Sequence, residues 1–480
     1  MISATAGPPR KPDGSGRRTW WRRFRSLSAA ARRPLPPSKE VMLHYLCHWP
    51  LEHTLREKCA RTLAVLARQS AVSPHLVASP ALHRLATLHV ATNGATYRAQ
   101  DSALDMDAVC DGGLAEGHVR GYVRLPCNGW GRVLTALCVA ASGNDVDSLA
   151  LVGCLIGTLW ASFHGFVAAV VAQTIDLREH RAVQHAALCI ELFRGVVAAA
   201  DMEGAERVPA FLTPCLPYLS GLMEFYADDL SVCEGLLRLF RDYAENFVVT
   251  LDRDQSVALF GASRELMRLY SERHIGARAQ AVRLRSSTMA EAEEEQSYND
   301  VLCMIQLLVH LGTKDFLDMC SHVNSGVDSS QVTDVIFYGL SQILPLMTEG
   351  LLQFPTLCSQ YFNLLNTMME TYPMQCCQLP HDLFRALMES VYFGMRHSDP
   401  EVGRNALKGL AEVIRDNAGS QCLDAQLAAA PHLLQDCCGR LVGDVILSDG
   451  VWDRLEAAGI CLLPLAAADL PGFVADVGAR

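Results

Sequence analysis

The chain has 480 residues, of which 50% are hydrophobic and 19% are charged. This composition is typical of a protein that buries large apolar cores, and it excludes a disordered chain or a single small domain. The formal net charge is −11, and it reaches −19 over residues 38–480, which carry 32 basic and 51 acidic side chains. Because phosphate groups bind to basic surfaces, this acidic body argues against direct nucleic-acid binding and favours a basic protein partner.

The cysteine pattern indicates a reducing compartment. The 18 cysteines are scattered over the whole chain and lie mostly within apolar helical patterns. No apolar secretory segment precedes them. We therefore predict reduced, buried thiols in a cytosolic or nuclear protein.

Residues 1–37 form a basic segment that is rich in Pro and Arg, with nine basic residues and one acid. At this density Pro, Gly and Arg bury too little surface to order a chain, so we predict a disordered leader. The run from Arg17 to Arg25 leaves an organellar transit peptide or a basic localisation signal open. Its neighbours Trp20 and Trp21 leave a surface-binding role open.

Residues 38–200 are predicted to form N-terminal helical repeats. Within them, the stretch 94–131 is studded with glycines and is too long for a routine connection between helices. We therefore predict a Gly-rich loop near 94–131.

Residues 148–175 contain no Asp, Glu, Lys or Arg, and about 20 apolar residues suffice to cross a bilayer. A membrane span is one interpretation. The polar interruption at 162–165 and the acidic flanks, with no Lys/Arg bias to orient a span, favour instead a helix enclosed by its neighbours. We expect no membrane contact, and we expect Gly153 and Gly157 to be close-packing positions in either case.

Beyond residue 200 the sequence is punctuated by helix-start signals, which are Pro or Asp residues that precede apolar segments. Pro209 and Asp252 are 43 positions apart, Pro355 and Pro400 are 45 apart, and each interval encloses two helices. HEAT and armadillo repeats have this period. We therefore predict an all-α fold, an α-solenoid of HEAT/armadillo-type antiparallel helix pairs, with C-terminal repeats over residues 201–480.

The clearest single repeat begins at Asp399-Pro400. Asp399 can accept hydrogen bonds from the first amides of a helix, and Pro400 suits the first helical position because its missing N–H costs nothing there. The stripe that follows is predicted to be buried, and it consists of Val402, Ala406, Leu410 and Val413.

No catalytic or cofactor-binding motif is recognisable. The chain lacks a Walker P-loop, a complete GxGxxG fingerprint, HExxH, a GxSxG elbow and any CxxC pair. The run 128–131 has only the first two glycines of a dinucleotide fingerprint and no preceding strand. We therefore expect a protein without enzymatic activity, catalytic residues or a cofactor.

One set of residues has the donor types of a zinc site, and it consists of His44, Cys47, His48, His53 and Cys59. Zinc needs four such ligands in a tetrahedral arrangement. The alternative is ordinary packed or surface residues of a helical pair. We favour this alternative, because a helix end at Pro50 separates the candidates and because Cys is among the most buried residue types.

A second candidate, for partner binding, is the acidic run Glu291, Glu293, Glu294 and Glu295. Such a run could bind a basic protein. The alternative is a solvated helix start, which we favour because acids near a helix N-terminus stabilise the helix dipole without any partner.

Several segments of the chain resemble a known family. They are Tyr226–Asp229, Ala292–Tyr298, Tyr338–Met347, Phe354–Tyr361 and Leu379–Phe384 with Leu387-Met388. In order and spacing they resemble the C-terminal part of the exportins, which belong to the importin-β or karyopherin class. The resemblance extends over about residues 208–416 and fades towards both ends.

The resemblance implies a HEAT solenoid that carries protein cargo through nuclear pores, in contact with nucleoporins, with cargo binding coupled to the GTPase Ran. It also implies shuttling between nucleus and cytoplasm. Receptors of this class are about twice as long and bind Ran mainly through N-terminal repeats, so we expect either a fragment of such a receptor or a shortened relative. A HEAT-repeat scaffold without transport activity is the alternative.

Overall fold

The computed structural model describes residues 53–69, 82, 85, 86, 89, 127–141, 146–200, 206–275, 298–321, 329–447, 452–468, 470 and 474. Over these residues every regular element is a helix, as predicted. The chain divides into two compact units, one of Met1–Asp176 with Glu191–Ala205, the other of Leu177–Ile190 with Glu206–Arg480.

The described helices of the first unit are α1 (His53–Ala67), α2 (Cys127–Ala140) and α3 (Val146–Val171), to which α4 (His180–Val197) adds its residues from Glu191 onward. Helix α1 packs on α2, and α2 packs on α3. The Thr135 hydroxyl on α2 donates a hydrogen bond to the Gly195 carbonyl on α4 at 2.8 Å. These contacts make α2 the centre of the described part of this unit.

The end of the Gly-rich loop predicted near 94–131 is corrected by the structure, in which α2 begins at Cys127. The rest of that stretch lies outside the described residues. Gly131 faces α4 so closely that an added Cβ would meet the Glu191 backbone. In sequence, a glycine that permits a close helix crossing looks the same as a loop glycine. The pattern of glycines therefore predicts a loop that includes Gly131.

The second unit contains the first part of α4 and, in its described residues, thirteen further α-helices. These are α5 (Arg207–Leu212), α6 (Leu216–Phe225), α7 (Leu230–Phe247), α8 (Arg253–Tyr270), α9 (Asn299–Ser321), α10 (Ser329–Ile343), α11 (Pro355–Thr371), α12 (Pro373–Cys377), α13 (His381–Met395), α14 (Pro400–Ser420), α15 (Asp424–Ala429), α16 (Leu433–Arg440) and α17 (Leu455–Ala468).

The long helices of this unit alternate between two layers. The outer layer consists of α6, α8, α10, α13 and α16, and the narrow-side layer consists of α7, α9, α11, α14 and α17. In the narrow-side layer each helix packs directly on the next. In the outer layer α6 packs on α8 and α8 packs on α10, whereas α10 and α13 meet mainly through the turn Leu344–Leu346. Helix α13 then contacts α15 and the turn Leu441–Ile446. The narrow-side layer is therefore packed continuously from α7 to α17, and the outer layer is not.

Some contacts between neighbouring repeats lie near the predicted period. Five side-chain pairs join residues 39, 41 or 45 positions apart, and they are Cys358–His397, Cys233–His274, Cys377–Cys422, His381–Gln426 and Tyr392–Cys437. The predicted interval of 45 residues between Pro355 and Pro400 is confirmed, because α11 and α14 begin there. The neighbouring intervals are longer, since α9 begins at Asn299 and α17 at Leu455.

The predicted helix starts are also confirmed where the sequence places a capping acid. The Asp229 side chain accepts the Val232 amide at 3.1 Å, and Asp252 forms a reciprocal capping box with Gln255. Asp399 accepts the Glu401 amide at 2.9 Å, and Pro400 occupies the first turn of α14. The stripe predicted for α14 is buried in full.

The cysteines are thiols in the described part of the chain. Of the 14 whose side chains are described, 12 are buried, while Cys154 and Cys422 are half-buried. Desolvation raises the pKa of Cys138, Cys233 and Cys358 to about 12 each. These thiols stay neutral at physiological pH, as expected of core residues.

Candidate functional site: the narrow face of the second unit

The narrow-side layer presents a polar surface on the side opposite its buried core. On α7, residues 232, 233, 236, 237, 240 and 243 are buried, whereas Glu234, Arg238, Arg241 and Glu245 are not. We call one set of non-buried polar positions on α7, α9, α11 and α14 of this layer the narrow face. It consists of Glu234, Arg238, Arg241, Asp242, Glu245, Gln306, His310, Gln360, Asn363, Asn366, Thr367, Glu370, Glu401, Arg404, Lys408, Glu412, Arg415 and Asp416.

Side chains of the narrow face bridge α7 and α9. The Arg241 guanidinium pairs with the neighbouring Asp242 and donates a hydrogen bond to Gln306 Oε1 at 3.2 Å. It also donates to Cys303 Sγ at 3.6 Å. An arginine that binds three groups at once is fixed in position, so this part of the face is already ordered without a partner.

Charges of both signs alternate on the narrow face. Within α7, Arg238 pairs with Glu234 at 2.9 Å, and within α14, Arg415 pairs with Glu412. Exposed pairs of this kind contribute little to stability, about 0–1 kcal/mol each. The acidic character predicted for the whole body is therefore not concentrated on this face.

Three exposed acids of the narrow face, Glu245, Glu370 and Glu401, form no ion pair with any described residue. They lie on α7, α11 and α14, one on each of three layer helices. Burial lowers the pKa of His310, and the negative charge of Glu245 partly offsets this shift by raising it. Carboxylates spaced along a stack in this way can attract a basic protein surface, and they form no chemical centre.

The predicted zinc ligands are not brought together in the described part of the chain. His44, Cys47 and His48 lie outside the described residues, and of His53 only the backbone is described, at the start of α1. Cys59 is buried on α1, and burial raises the pKa of its thiol. Among the described residues no group of three or more His, Cys, Asp or Glu side chains could hold a metal ion.

The predicted acidic run Glu291, Glu293, Glu294 and Glu295 lies outside the described residues. Arg241 and Gln306 are site residues that the sequence pattern does not single out. The sequence signal that could have found them is the spacing of polar residues between the buried positions of α7, because this spacing identifies a solvent-exposed helix face. That spacing does not reveal which layer the face belongs to.

Helix α3 in the first unit differs from its prediction. Its segment Leu151–Val171 is, among the described residues, the one helix long and apolar enough to cross a membrane, and 28% of that segment is buried. The described neighbours therefore cover only part of this helix. Within the described part of the chain, Gly153 and Gly157 do not pack closely against a neighbour either, because no described atom lies within 4 Å of a Cβ added at either one.

Residues 317–425 match the family model described as CRM1 C terminal. This segment extends from the end of α9 to α15, so it includes α11 and α14 of the narrow-side layer. In this segment the chain is similar to the family that the model describes.

Among solved structures, the chain is similar to the crystal structure of an engineered protein from the Northeast Structural Genomics Consortium. The two are 12% identical with a TM-score of 0.34, and the match covers 92% of each chain.

Proposed function

We propose that this protein is a nuclear transport receptor of the exportin type, and that it binds protein cargo through the narrow face. The observation that carries the proposal is the match of residues 317–425 to the CRM1 C-terminal family model. The matched helices lie in a stack of repeats with the period of HEAT proteins. No catalytic step or cofactor is part of the proposal.

At a finer level, the segments Tyr338–Met347, Phe354–Tyr361 and Leu379–Phe384 support an exportin-4-like receptor. They lie at the end of α10, at the start of α11 and at the start of α13, where outer helices join the narrow-side layer. The receptor would bind Ran in its GTP form, contact nucleoporins, and shuttle between nucleus and cytoplasm with a basic protein cargo.

The proposed mechanism is mechanical. Each long helix of the second unit packs chiefly on its neighbours in the stack, so a small rotation at each interface changes the pitch of the whole stack at little cost. A partner that binds one pitch better than another shifts the population towards that pitch. Ran and cargo are then coupled through their differential affinity for the same two arrangements.

The test is a pull-down from nuclear extract with the full chain, in the presence of GTP-locked Ran or of GDP-bound Ran. We expect a set of basic proteins whose capture changes several-fold between the two forms of Ran. Identical capture in both would overturn the transport proposal and leave a HEAT scaffold without transport activity.

Charge-neutralising variants test where cargo binds. The triple variant Glu245→Gln, Glu370→Gln, Glu401→Gln removes three exposed acids from the narrow face. It should reduce the capture of basic cargo several-fold. The matched control neutralises three exposed acids on the outer layer, Glu224→Gln, Asp254→Asn, Asp334→Asn, and should leave capture unchanged. Equal losses in both variants would exclude the narrow face as the cargo site.

A second candidate function, membrane attachment through α3, is favoured by the low burial of this apolar helix. Leu155, Leu159 and Phe163 bury one side of α3, whereas Val171 is 62% exposed at its end. Carbonate extraction of membranes from cells that express the full chain decides between the two. A chain that stays with the membrane pellet supports attachment, and one that is released entirely excludes it.

A further inference from the structure

Two cysteines from neighbouring repeats are in contact. The Sγ atoms of Cys377 and Cys422 are 3.1 Å apart, and the residues are 45 positions apart in the chain. Cys377 is the last residue of α12, and Cys422 lies between α14 and α15. The pair therefore spans one repeat period.

The backbone around Cys422 is held on both sides. Gln421 adopts a left-handed conformation with φ of 53° and donates its amide to the Asn417 carbonyl at 2.9 Å. On the other side, the Leu423 amide donates to the Asn417 side-chain oxygen at 2.8 Å. Cys422 is thus fixed between two anchored residues.

The backbone of Cys377 is also held in place, by a residue that follows Cys422 in the chain. The Gln426 side chain, on α15, is buried and donates to the carbonyl oxygens of Cys377 and Leu379, each at 2.9 Å. One side chain therefore joins the two backbone segments that carry the sulfur atoms. The two thiols meet because of this scaffold and not through the chance overlap of two flexible side chains.

The two thiols differ in access to solvent. Cys422 is half-buried, whereas Cys377 is 1% exposed and burial raises the pKa of its thiol. The adjacent Cys376 is buried and donates instead to the Met368 carbonyl at 3.7 Å. An oxidant from solvent can therefore reach Cys422 first, and the thiol nearest to it is Cys377.

We propose that Cys377 and Cys422 form a reversible dithiol–disulfide site, whose oxidant is a low-molecular-weight disulfide such as oxidised glutathione. The Cys422 thiolate attacks one sulfur of the oxidant, which breaks the S–S bond and releases one glutathione thiolate. The Cys377 thiol then loses its proton as it attacks Cys422 Sγ, and the second glutathione thiolate leaves. The protein loses two protons and two electrons, and the oxidant becomes two thiols.

The disulfide would tie α12 to the segment after α14, and so would join two neighbouring repeats. A cross-link between these positions removes conformations from the unfolded chain and opposes sliding between the repeats. The oxidised protein should therefore unfold at a higher temperature than the reduced protein, and reducing agents should reverse the change.

The experiment exposes the full chain to glutathione buffers of increasing oxidised fraction, blocks free thiols, and maps the products by tandem mass spectrometry. We expect a Cys377–Cys422 linked peptide, two hydrogens lighter than its reduced parts. Three results would overturn the proposal. They are Cys422 held only as a mixed disulfide with glutathione, Cys422 linked to another cysteine, and Cys422 still reduced when Cys154 is modified.

Variants separate this pair from its neighbours. Cys422→Ser should abolish both the link and the rise in unfolding temperature on oxidation. Cys376→Ser and Cys154→Ser should retain both, and the first of these also distinguishes Cys376 from Cys377 within one peptide. Circular dichroism confirms that each variant is folded. A rise in unfolding temperature that persists in Cys422→Ser would contradict the assignment.

Discussion

Three tyrosines of the second unit bury their rings and bind a polar group about 30 positions away. Tyr243 shares a hydrogen bond with the Thr213 hydroxyl at 2.9 Å, and Tyr361 donates to Ser390 Oγ at 2.9 Å. Tyr270 donates to the buried carboxylate of Asp300. Because a buried hydroxyl without a partner costs about 1–3 kcal/mol, such pairs fix which helices meet. Single residues therefore specify the register of the stack.

Gln421 is one of two described residues other than glycine with positive φ, at 53°, and it ends α14. A residue with a Cβ in the left-handed region destabilises the folded state by about 1–2 kcal/mol, and glycine removes this penalty. Part of the gain is offset because glycine also makes the unfolded chain more flexible. We expect Gln421→Gly to raise the free energy of unfolding by about 0.5–1 kcal/mol. Gln421→Ala, which retains a Cβ, is the control and should give no gain in chemical denaturation.

The buried His89 predicts how the free energy of unfolding depends on pH. It is buried near the Trp130 ring, and burial lowers its pKa from 6.5 to about 3, so the folded state holds it neutral. Below pH 6.5 the unfolded state binds the proton and the folded state does not. This residue should therefore reduce the free energy of unfolding by up to about 1.4 kcal/mol per pH unit as the pH falls towards 3.

The measurement compares urea midpoints of the full chain and of His89→Gln between pH 7 and pH 4. The variant should lose less stability on acidification than the parent chain. If the two slopes are equal, His89 is already protonated in the folded state or titrates as it does in the unfolded chain.

Helices in the stack approach each other most closely where small residues face each other. Gly394 on α13 lies against the Phe362 ring of α11, and an added Cβ would be 2.8 Å from the Ala406 Cβ on α14. Gly261 on α8 is exposed, and no described atom lies within 4 Å of a Cβ added there. These two glycines therefore have opposite structural roles within similar helices.

We expect Gly394→Ala to destabilise the protein by about 1–3 kcal/mol, because overpacking a tight contact forces neighbours apart. Gly261→Ala should instead stabilise it by about 0.5–1 kcal/mol, because alanine favours the helix and meets no obstacle. Thermal unfolding of both variants tests the pair. A gain for Gly394→Ala would mean that α11, α13 and α14 are not packed as described.

Much of the fold of the second unit could be predicted from sequence because the relevant signals are local. A capping acid such as Asp252 or Asp399 acts within one helical turn, and an apolar stripe indicates which face of its own helix is buried. The pairing of the thiols of Cys377 and Cys422, by contrast, depends on how two turns meet across a repeat. No local pattern encodes that meeting, and the same holds for the contact of Gly131 with α4.

At the scale of the molecule, the narrow face of the second unit is the surface on which we propose that a protein partner binds. This narrow face combines ordered polar bridges, such as Arg241 with Gln306, and exposed carboxylates on three of the layer helices, α7, α11 and α14. The face could not be predicted as a whole from sequence, because polar surface positions look alike in both layers. Only the packing of the layers distinguishes them.

The central claim, an exportin-type receptor, is tested most directly by the affinity of the purified full chain for Ran. Fluorescence anisotropy of labelled Ran, loaded with a non-hydrolysable GTP analogue or with GDP, gives both dissociation constants. The account predicts that the GTP form binds at least about tenfold tighter, a difference of about 1.4 kcal/mol. Equal affinity for the two forms would contradict it, and so would binding to neither form both by the chain alone and by the chain fused to the N-terminal repeats of such a receptor.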